Sequence, residues 1–254
     1  WQGTLDTYDR VQVARMRQLT EAIRSGSWRG SGGAPIEAVV NLGIGGSDLG
    51  PRMAVQALGE YAEPRLAVRF VANIDPAEFA DTVRGLDPAR TLFIVSSKTF
   101  TTQETLANAR AARAWLGSAD PARHFIAVSN NVVAAQAFGI PAENCLAMPE
   151  WVGGRFSMWS AIGLPLACAI GMDAFEDLLA GAREMERQPH RVRSRRGGLR
   201  LDQHDVLAPG HQLERAPGAA PDLLAPGLER REHASVPHEA RRLEVHGAGG
   251  GGLG

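Results

Sequence analysis

A run of hydroxyl side chains at residues 97–102 is the strongest chemical signal in the sequence. This hydroxyl loop reads Ser97-Lys98-Thr99-Phe100-Thr101-Thr102, and Thr101 with Glu104 has the spacing of a capping box. We therefore expect a helix to begin here, with its unpaired backbone N–H groups facing the hydroxyls. Such donors suit a phosphate monoester, whose oxygens accept many short hydrogen bonds. A serine- and threonine-rich helix start without a ligand is the alternative interpretation.

A second motif is a glycine-rich turn at residues 43–50, which lies between a strand pattern and a helix pattern. It reads Gly43-Ile44-Gly45-Gly46-Ser47-Asp48-Leu49-Gly50. Glycines at such a junction let backbone N–H groups approach an anion. The dinucleotide fingerprint does not fit, because it needs a small residue at Asp48, and the P-loop needs Gly-Lys-Ser/Thr where Gly50-Pro51-Arg52 stands. A ligand-binding turn and a tight turn without a ligand are both open interpretations.

The third motif is an arginine loop at residues 150–157, in which one arginine stands in a glycine-flanked bend. It reads Glu150-Trp151-Val152-Gly153-Gly154-Arg155-Phe156-Ser157. A guanidinium held in such a bend can stabilise a negative charge that develops during a reaction. A solvated surface arginine is the alternative.

The composition excludes several classes of function. With 254 residues, 44% hydrophobic content and a formal charge of -1, the chain fits an α/β domain without a field that attracts nucleic acid or an anionic membrane. Cys145 and Cys168 are far apart and lack metal-ligand spacing, which suits a reducing cytoplasm. The longest apolar run, Met158 to Met172, is about fifteen residues, whereas a membrane span needs about twenty. We read it as a buried helix.

Short apolar runs alternate with helical stretches between residues 34 and 138. The predicted strands are Ile36–Leu42, Leu66–Val71, Thr91–Val95 and His124–Val128, and the predicted helices are Leu49–Leu58, Pro76–Arg84, Thr102–Leu116 and Val132–Phe138. This alternation predicts an α/β fold, with a parallel sheet covered by helices on both faces. Ligands of such sheets bind beyond the carboxyl ends of the strands, so we expect the site in the turns after Leu42, Val95 and Val128.

The chain divides into three predicted regions. Residues 1–33 hold a helix, from about Asp9 to Ile23, and a flexible link, and residues 34–188 form the domain that carries the motifs. Residues 189–254 lack Ile, Phe, Tyr, Trp, Met, Lys, Asn, Thr and Cys but contain six of the seven histidines. We interpret this tail as a frameshifted reading of GC-rich coding sequence, and a natural disordered tail is the alternative. Its histidines show no metal-ligand spacing.

In their order along the chain and in their residue identities, the three motifs resemble those of the phosphoglucose isomerase family. The resemblance is carried by Gly43–Pro51, by Phe93–Val95 with Ser97–Thr105, and by Trp151–Gly163, and it extends from about Tyr8 to about Glu186. It implies a sugar-isomerase (SIS) fold, a five-stranded parallel sheet flanked by helices, in a cytoplasmic homodimer. The implied reaction is the reversible isomerisation of glucose 6-phosphate and fructose 6-phosphate through an enediolate, in glycolysis and gluconeogenesis, without a cofactor or metal.

The resemblance also implies roles for individual residues. It implies that Arg155 stabilises the enediolate, and that the substrate-binding residues include Gly154 in the same loop. The residues implied to anchor the phosphate are Ser97, Thr99 and Thr102, with Lys98 in the same loop, and those implied to line the sugar pocket are Gly46 and Ser47.

The groups that would move the proton have no counterpart in the sequence. The family has a base glutamate in a Glu-Ser-Asn-Gly-Lys context, a ring-opening histidine and a C-terminal lysine, whereas Lys98 is the only lysine here. Glu244 and His246 lack the flanking residues, so we assign them no role. We therefore expect an incomplete isomerase, truncated before its first motif and altered at its end. The alternative is a non-catalytic module that binds a sugar phosphate.

Overall fold

Five short strands form one parallel sheet. The structure, a computed structural model, describes residues 2–149 and 152–187, and for residues 2–9, 155 and 185–187 it describes the backbone alone. The strands are β1 Ala38–Gly43, β2 Ala67–Val71, β3 Thr91–Ser96, β4 Phe125–Val128 and β5 Cys145–Leu146. Their order across the sheet is β2-β1-β3-β4-β5, and each neighbouring pair is parallel. The predicted tail, residues 189–254, lies outside the described residues.

Helices connect and cover the strands. In the described part of the chain the α-helices are α1 Gln2–Ser25, α2 Leu49–Ala57, α3 Pro76–Val83, α4 Gln103–Leu116, α5 Pro121–His124, α6 Val132–Phe138, α7 Leu164–Ile170 and α8 Met172–Arg187. Short 3-10 segments lie at Ser31–Gly33, Gly45–Ser47, Gly59–Tyr61, Pro88–Arg90, Ala142–Asn144, Gly154–Trp159 and Ala161–Gly163. None of the helices described here has the length and apolar character needed to cross a bilayer.

The predicted fold class is confirmed, and the four predicted strands begin and end close to the expected positions. The pattern did not locate β5, which has only two residues and therefore too few side chains for a recognisable alternation. The buried helix predicted between Met158 and Met172 is present as α7, but it covers only Leu164–Ile170. Two 3-10 segments precede α7, and Gly171, with a φ of 90°, ends it before α8 begins.

The two faces of the sheet belong to different apolar clusters. In β3, Leu92 and Ile94 pack in a cluster with residues of α1, α2, α7 and α8, whereas Phe93 and Val95 pack in a cluster with residues of α3, α4 and α6. This alternation follows from the pleat, which directs successive side chains to opposite faces. Every residue of β1, β3 and β4 is buried, as expected for a parallel sheet covered on both sides.

The strand order places a reversal between β1 and β3. The chain leaves β1 towards α2 on one face of the sheet, and it leaves β3 towards α4 on the other face. Two neighbouring turns that lead in opposite directions open a crevice at the carboxyl edge of the sheet, and this is where open α/β sheets bind their ligands. The glycine-rich turn follows β1, and the hydroxyl loop follows β3.

The reactivity of the two cysteine thiols tests how tightly the helices pack against the sheet. Cys168 is fully buried in α7, and burial raises its pKa to about 12. Cys145 is buried in β5, and burial raises its pKa as well. Because the thiolate is the reactive form, we predict that the native protein reacts only slowly with Ellman's reagent at about pH 8 and that denaturation releases both thiols. Rapid labelling of the native chain at either cysteine would contradict this packing.

Candidate functional site

The hydroxyl loop leads directly from β3 into α4. The helix begins at Gln103 with Thr102 as its N-cap residue, so the capping box predicted on Thr101 is wrong. In the described structure the Thr102 side chain makes no capping hydrogen bond either, because its Oγ1 lies 3.1 Å from Ser97 Oγ. The first-turn N–H groups of α4, which have no partner within the helix, can therefore bind an anion.

The hydroxyls of this loop are arranged in two pairs. Ser97 pairs with Thr102, and Thr99 Oγ1 lies 2.6 Å from Thr101 Oγ1. Ser97 is buried, whereas Thr99 and Thr101 are exposed at the mouth of the crevice. Within each pair, one hydroxyl donates its proton to the other. A phosphoryl group can replace these internal bonds, because its oxygens accept hydrogen bonds from all four hydroxyls. Thr101 is a candidate that the sequence analysis missed, because its hydroxyl was assigned to the cap.

The backbone of the hydroxyl loop is strained at Phe100. In the described residues it is the one non-glycine position with a positive φ, 54°. A left-handed conformation costs a residue with a Cβ about 1–2 kcal/mol. The Phe100 side chain is buried and packs edge-to-face on Phe138, with ring centroids 6.0 Å apart. Burial of a Phe side chain contributes about 1.5–3 kcal/mol, so packing offsets the strain and holds the loop in its shape.

The turn after β4, residues 129–131, holds the backbone of the hydroxyl loop through hydrogen bonds. The Lys98 carbonyl accepts hydrogen bonds from Asn130 N (2.9 Å) and Ser129 Oγ (3.2 Å), and the Thr99 carbonyl accepts one from Asn131 Nδ2 (3.1 Å). The turn after Val128 was expected at the site from its place after a predicted strand, but none of its residues was predicted to take part. The signal was three successive polar residues directly after a buried strand.

The glycine-rich turn closes on itself and touches the arginine loop. Ser47 N donates to Ile44 O (3.2 Å), and Asp48 N donates to Gly45 O (3.0 Å). A Cβ placed on Gly46 would lie 2.4 Å from the carbonyl oxygen of Gly154, which is closer than a real Cβ approaches an oxygen. Glycine is therefore required at position 46, because the two backbones are in contact there.

The hydroxyl loop reaches the same arginine loop through its lysine. Lys98 Nζ donates a hydrogen bond to Val152 O at 3.3 Å. At Gly154 and Val152, respectively, the glycine-rich turn and the hydroxyl loop thus meet the chain around Arg155. The backbone of Arg155 belongs to the 3-10 segment Gly154–Trp159, whereas its side chain lies outside the described part, as do Glu150 and Trp151.

A partly buried ion pair lies at the end of the glycine-rich turn. Arg52 Nε donates to Asp48 Oδ1 at 2.8 Å, and the guanidinium stacks 5.6 Å from the centre of the Phe70 ring. Burial raises the pKa of the Asp48 carboxyl, and the hydrogen bond from Arg52 opposes that rise. The carboxylate of the glycine-rich turn is therefore matched by a guanidinium.

Comparisons with known proteins match this chain to one family. The family model described as "Phosphoglucose isomerase" matches residues 5–194. The chain is 61% identical over 180 residues to a glucose-6-phosphate isomerase of Aromatoleum aromaticum, covering 68% of this chain and 33% of the relative. It is 53% identical over 173 residues to that of Methylococcus capsulatus, covering 66% of this chain and 32% of the relative.

A comparison with solved structures finds a similar fold in a protein of the same name as these relatives. The crystal structure of a glucose-6-phosphate isomerase from Chlamydia trachomatis superposes with a TM-score of 0.63 at 28% identity. The match covers 72% of this chain and 34% of that chain. The chain therefore spans about a third of the length of the relatives it matches.

The contact between Gly46 and Gly154 can be tested by adding one methyl group. We predict that Gly46→Ala lowers the free energy of unfolding by about 1–3 kcal/mol, because the two loops must separate. Gly59→Ala is the matched control, since a Cβ at Gly59 meets nothing within 4 Å. It should change stability by less than about 0.5 kcal/mol. Urea unfolding of both variants measures the difference, and equal stabilities would show that the loops are not in contact.

Proposed function

The chain belongs to the phosphoglucose isomerase family, and on that premise we propose that it provides the sugar-phosphate site of a glucose-6-phosphate isomerase. The observation that carries the proposal is the convergence of three loops, in which the glycine-rich turn meets Gly154 and the hydroxyl loop meets Val152. The whole protein would interconvert glucose 6-phosphate and fructose 6-phosphate in glycolysis and gluconeogenesis.

We propose that the hydroxyl loop binds the phosphoryl group. Ser97, Thr99 and Thr102 would donate from their hydroxyls, and the α4 N-terminus would donate from its backbone. Support comes from the hydroxyl pairs at 3.1 Å and 2.6 Å and from a helix start that Thr102 leaves uncapped. Thr101 joins this proposed set because its hydroxyl is paired with that of Thr99.

We propose that the sugar lies between the glycine-rich turn and the arginine loop. Gly46, Ser47 and Gly154 would line it, and Lys98 would fix the hydroxyl loop against Val152. Arg155 would stabilise the enediolate, which forms when a proton leaves one carbon beside the carbonyl and the electron pair moves towards oxygen. A fixed guanidinium accelerates such a step because it binds the charge that appears in the transition state.

The groups that transfer the proton are proposed to lie elsewhere in the whole protein. The matched segment is about a third of the relatives' length, and Lys98 is the only lysine of this chain. A homodimer in the cytoplasm is proposed as the setting, in agreement with the free thiols of Cys145 and Cys168.

A coupled assay tests whether the groups that transfer the proton lie outside this chain. We expect the chain alone to bind fructose 6-phosphate without converting it, and turnover would contradict the proposed absence of the base.

The phosphate contacts can be tested with two threonine variants. We predict that Thr99→Ala and Thr102→Ala each weaken fructose 6-phosphate binding about tenfold or more, because hydrogen bonds to a charged group contribute about 1.5–3 kcal/mol. Binding of fructose, measured by the same titration calorimetry, should be unchanged. Thr82→Ala, on α3, is the control and should alter neither affinity. An equal loss for both sugars would remove the hydroxyl loop as the phosphate site.

A further inference from the structure

A polar side chain, that of Asn41, lies within the fully buried strand β1. Asn41 stands in β1 between Val40 and Leu42, and its relative exposure is 0%. Burying an amide without hydrogen bonds costs about 1–3 kcal/mol on protein scales. An asparagine therefore persists in a central strand only where its partners satisfy it, so its partners indicate what it does.

Both partners of Asn41 belong to the walls of the crevice. Its Nδ2 donates to the carbonyl oxygen of Ser47 at 2.9 Å, and its Oδ1 accepts from Ser96 Oγ at 2.7 Å. The orientation of the amide is fixed, because a carbonyl oxygen can only accept and so must face the Nδ2 group. One side chain thus connects the glycine-rich turn to the last residue of β3, directly before the hydroxyl loop.

The connection sets the distance between two loops that otherwise diverge. The chain leads from β1 to α2 and from β3 to α4 on opposite faces of the sheet. The glycine-rich turn is closed by its own backbone hydrogen bonds at Ile44 and Gly45, which fix its shape. The bond to Ser47 O ties the turn to β1, and the bond from Ser96 Oγ ties the same Asn41 side chain to the end of β3.

We infer that Asn41 is a positioning residue for the substrate, fixing the distance between the sugar pocket and the phosphate site. This inference rests on the proposed function. A sugar phosphate contacts the glycine-rich turn and the hydroxyl loop at the same time, so its affinity depends on their separation. Inorganic phosphate contacts the hydroxyl loop alone, so its affinity does not depend on Asn41.

The experiment compares two ligands on three variants of the full chain. Asn41→Leu keeps the approximate volume and removes both hydrogen bonds, and Ser96→Ala removes one of them with a smaller effect on folding. Asn144→Leu is the matched control. Asn144 is also buried, and its amide donates to Ala122 O and Phe125 O at the amino edge of the sheet, away from the crevice.

Calorimetric titration with fructose 6-phosphate and with inorganic phosphate gives the readout. We expect Asn41→Leu and Ser96→Ala to weaken fructose 6-phosphate binding about tenfold, which corresponds to the net value of about one buried hydrogen bond. Phosphate affinity should stay within about twofold, and Asn144→Leu should leave both affinities unchanged despite a similar loss of stability.

Three outcomes would overturn the inference. If Asn41→Leu and Ser96→Ala lower the affinity for both ligands equally, Asn41 only stabilises the fold. If neither variant lowers the affinity for fructose 6-phosphate, the distance between the sugar pocket and the phosphate site is set by other residues. If Asn41→Leu does not fold, the result for Ser96→Ala decides. Failure of the unaltered chain to bind inorganic phosphate would instead refute the proposed phosphate site, and the inference with it.

Discussion

The site depends on the reversal between β1 and β3. This parallel sheet must be covered on both faces, because its strands β1, β3 and β4 are buried on both sides. The helix that follows β1 covers one face and the helix that follows β3 covers the other, so the two intervening turns separate and leave a crevice. The same constraint that buries Leu92 and Phe93 on opposite sides of the sheet thus creates the space in which a ligand can bind.

A crevice formed in this way must be held at a fixed width, and each contact that holds it involves a backbone carbonyl oxygen. Gly46 meets Gly154, Lys98 meets Val152, and Asn41 reaches the carbonyl of Ser47. Such contacts tolerate little displacement, since each one uses an atom whose position the chain direction already determines. They also explain why glycine is needed at position 46, where the turn itself requires no positive φ.

Much of the fold could be predicted from the sequence, because long apolar runs such as Thr91–Val95 and turns rich in glycine give strong local signals. The region after Met158 could not. Its residues are nearly all buried, so helix and 3-10 turn show the same apolar pattern, and only Ser160 and Gly171 mark the breaks. The supporting role of residues 129–131 was also hidden, because it depends on β4 lying beside β3. A sequence does not show which loops become neighbours until the strand order is known.

The candidate anion site relies on neutral donors more than on charge. The hydroxyl loop has one charged side chain, Lys98, which donates to Val152 O, and the carboxylate of Asp48 beside the glycine-rich turn is paired with Arg52. Hydroxyls and backbone N–H groups provide less long-range attraction than guanidinium groups, but their strength depends steeply on distance and angle. For such a site, precise placement matters more than local charge. This is why a buried amide such as Asn41, whose hydrogen bonds go to Ser47 O and Ser96 Oγ, can affect how tightly the crevice binds a sugar phosphate.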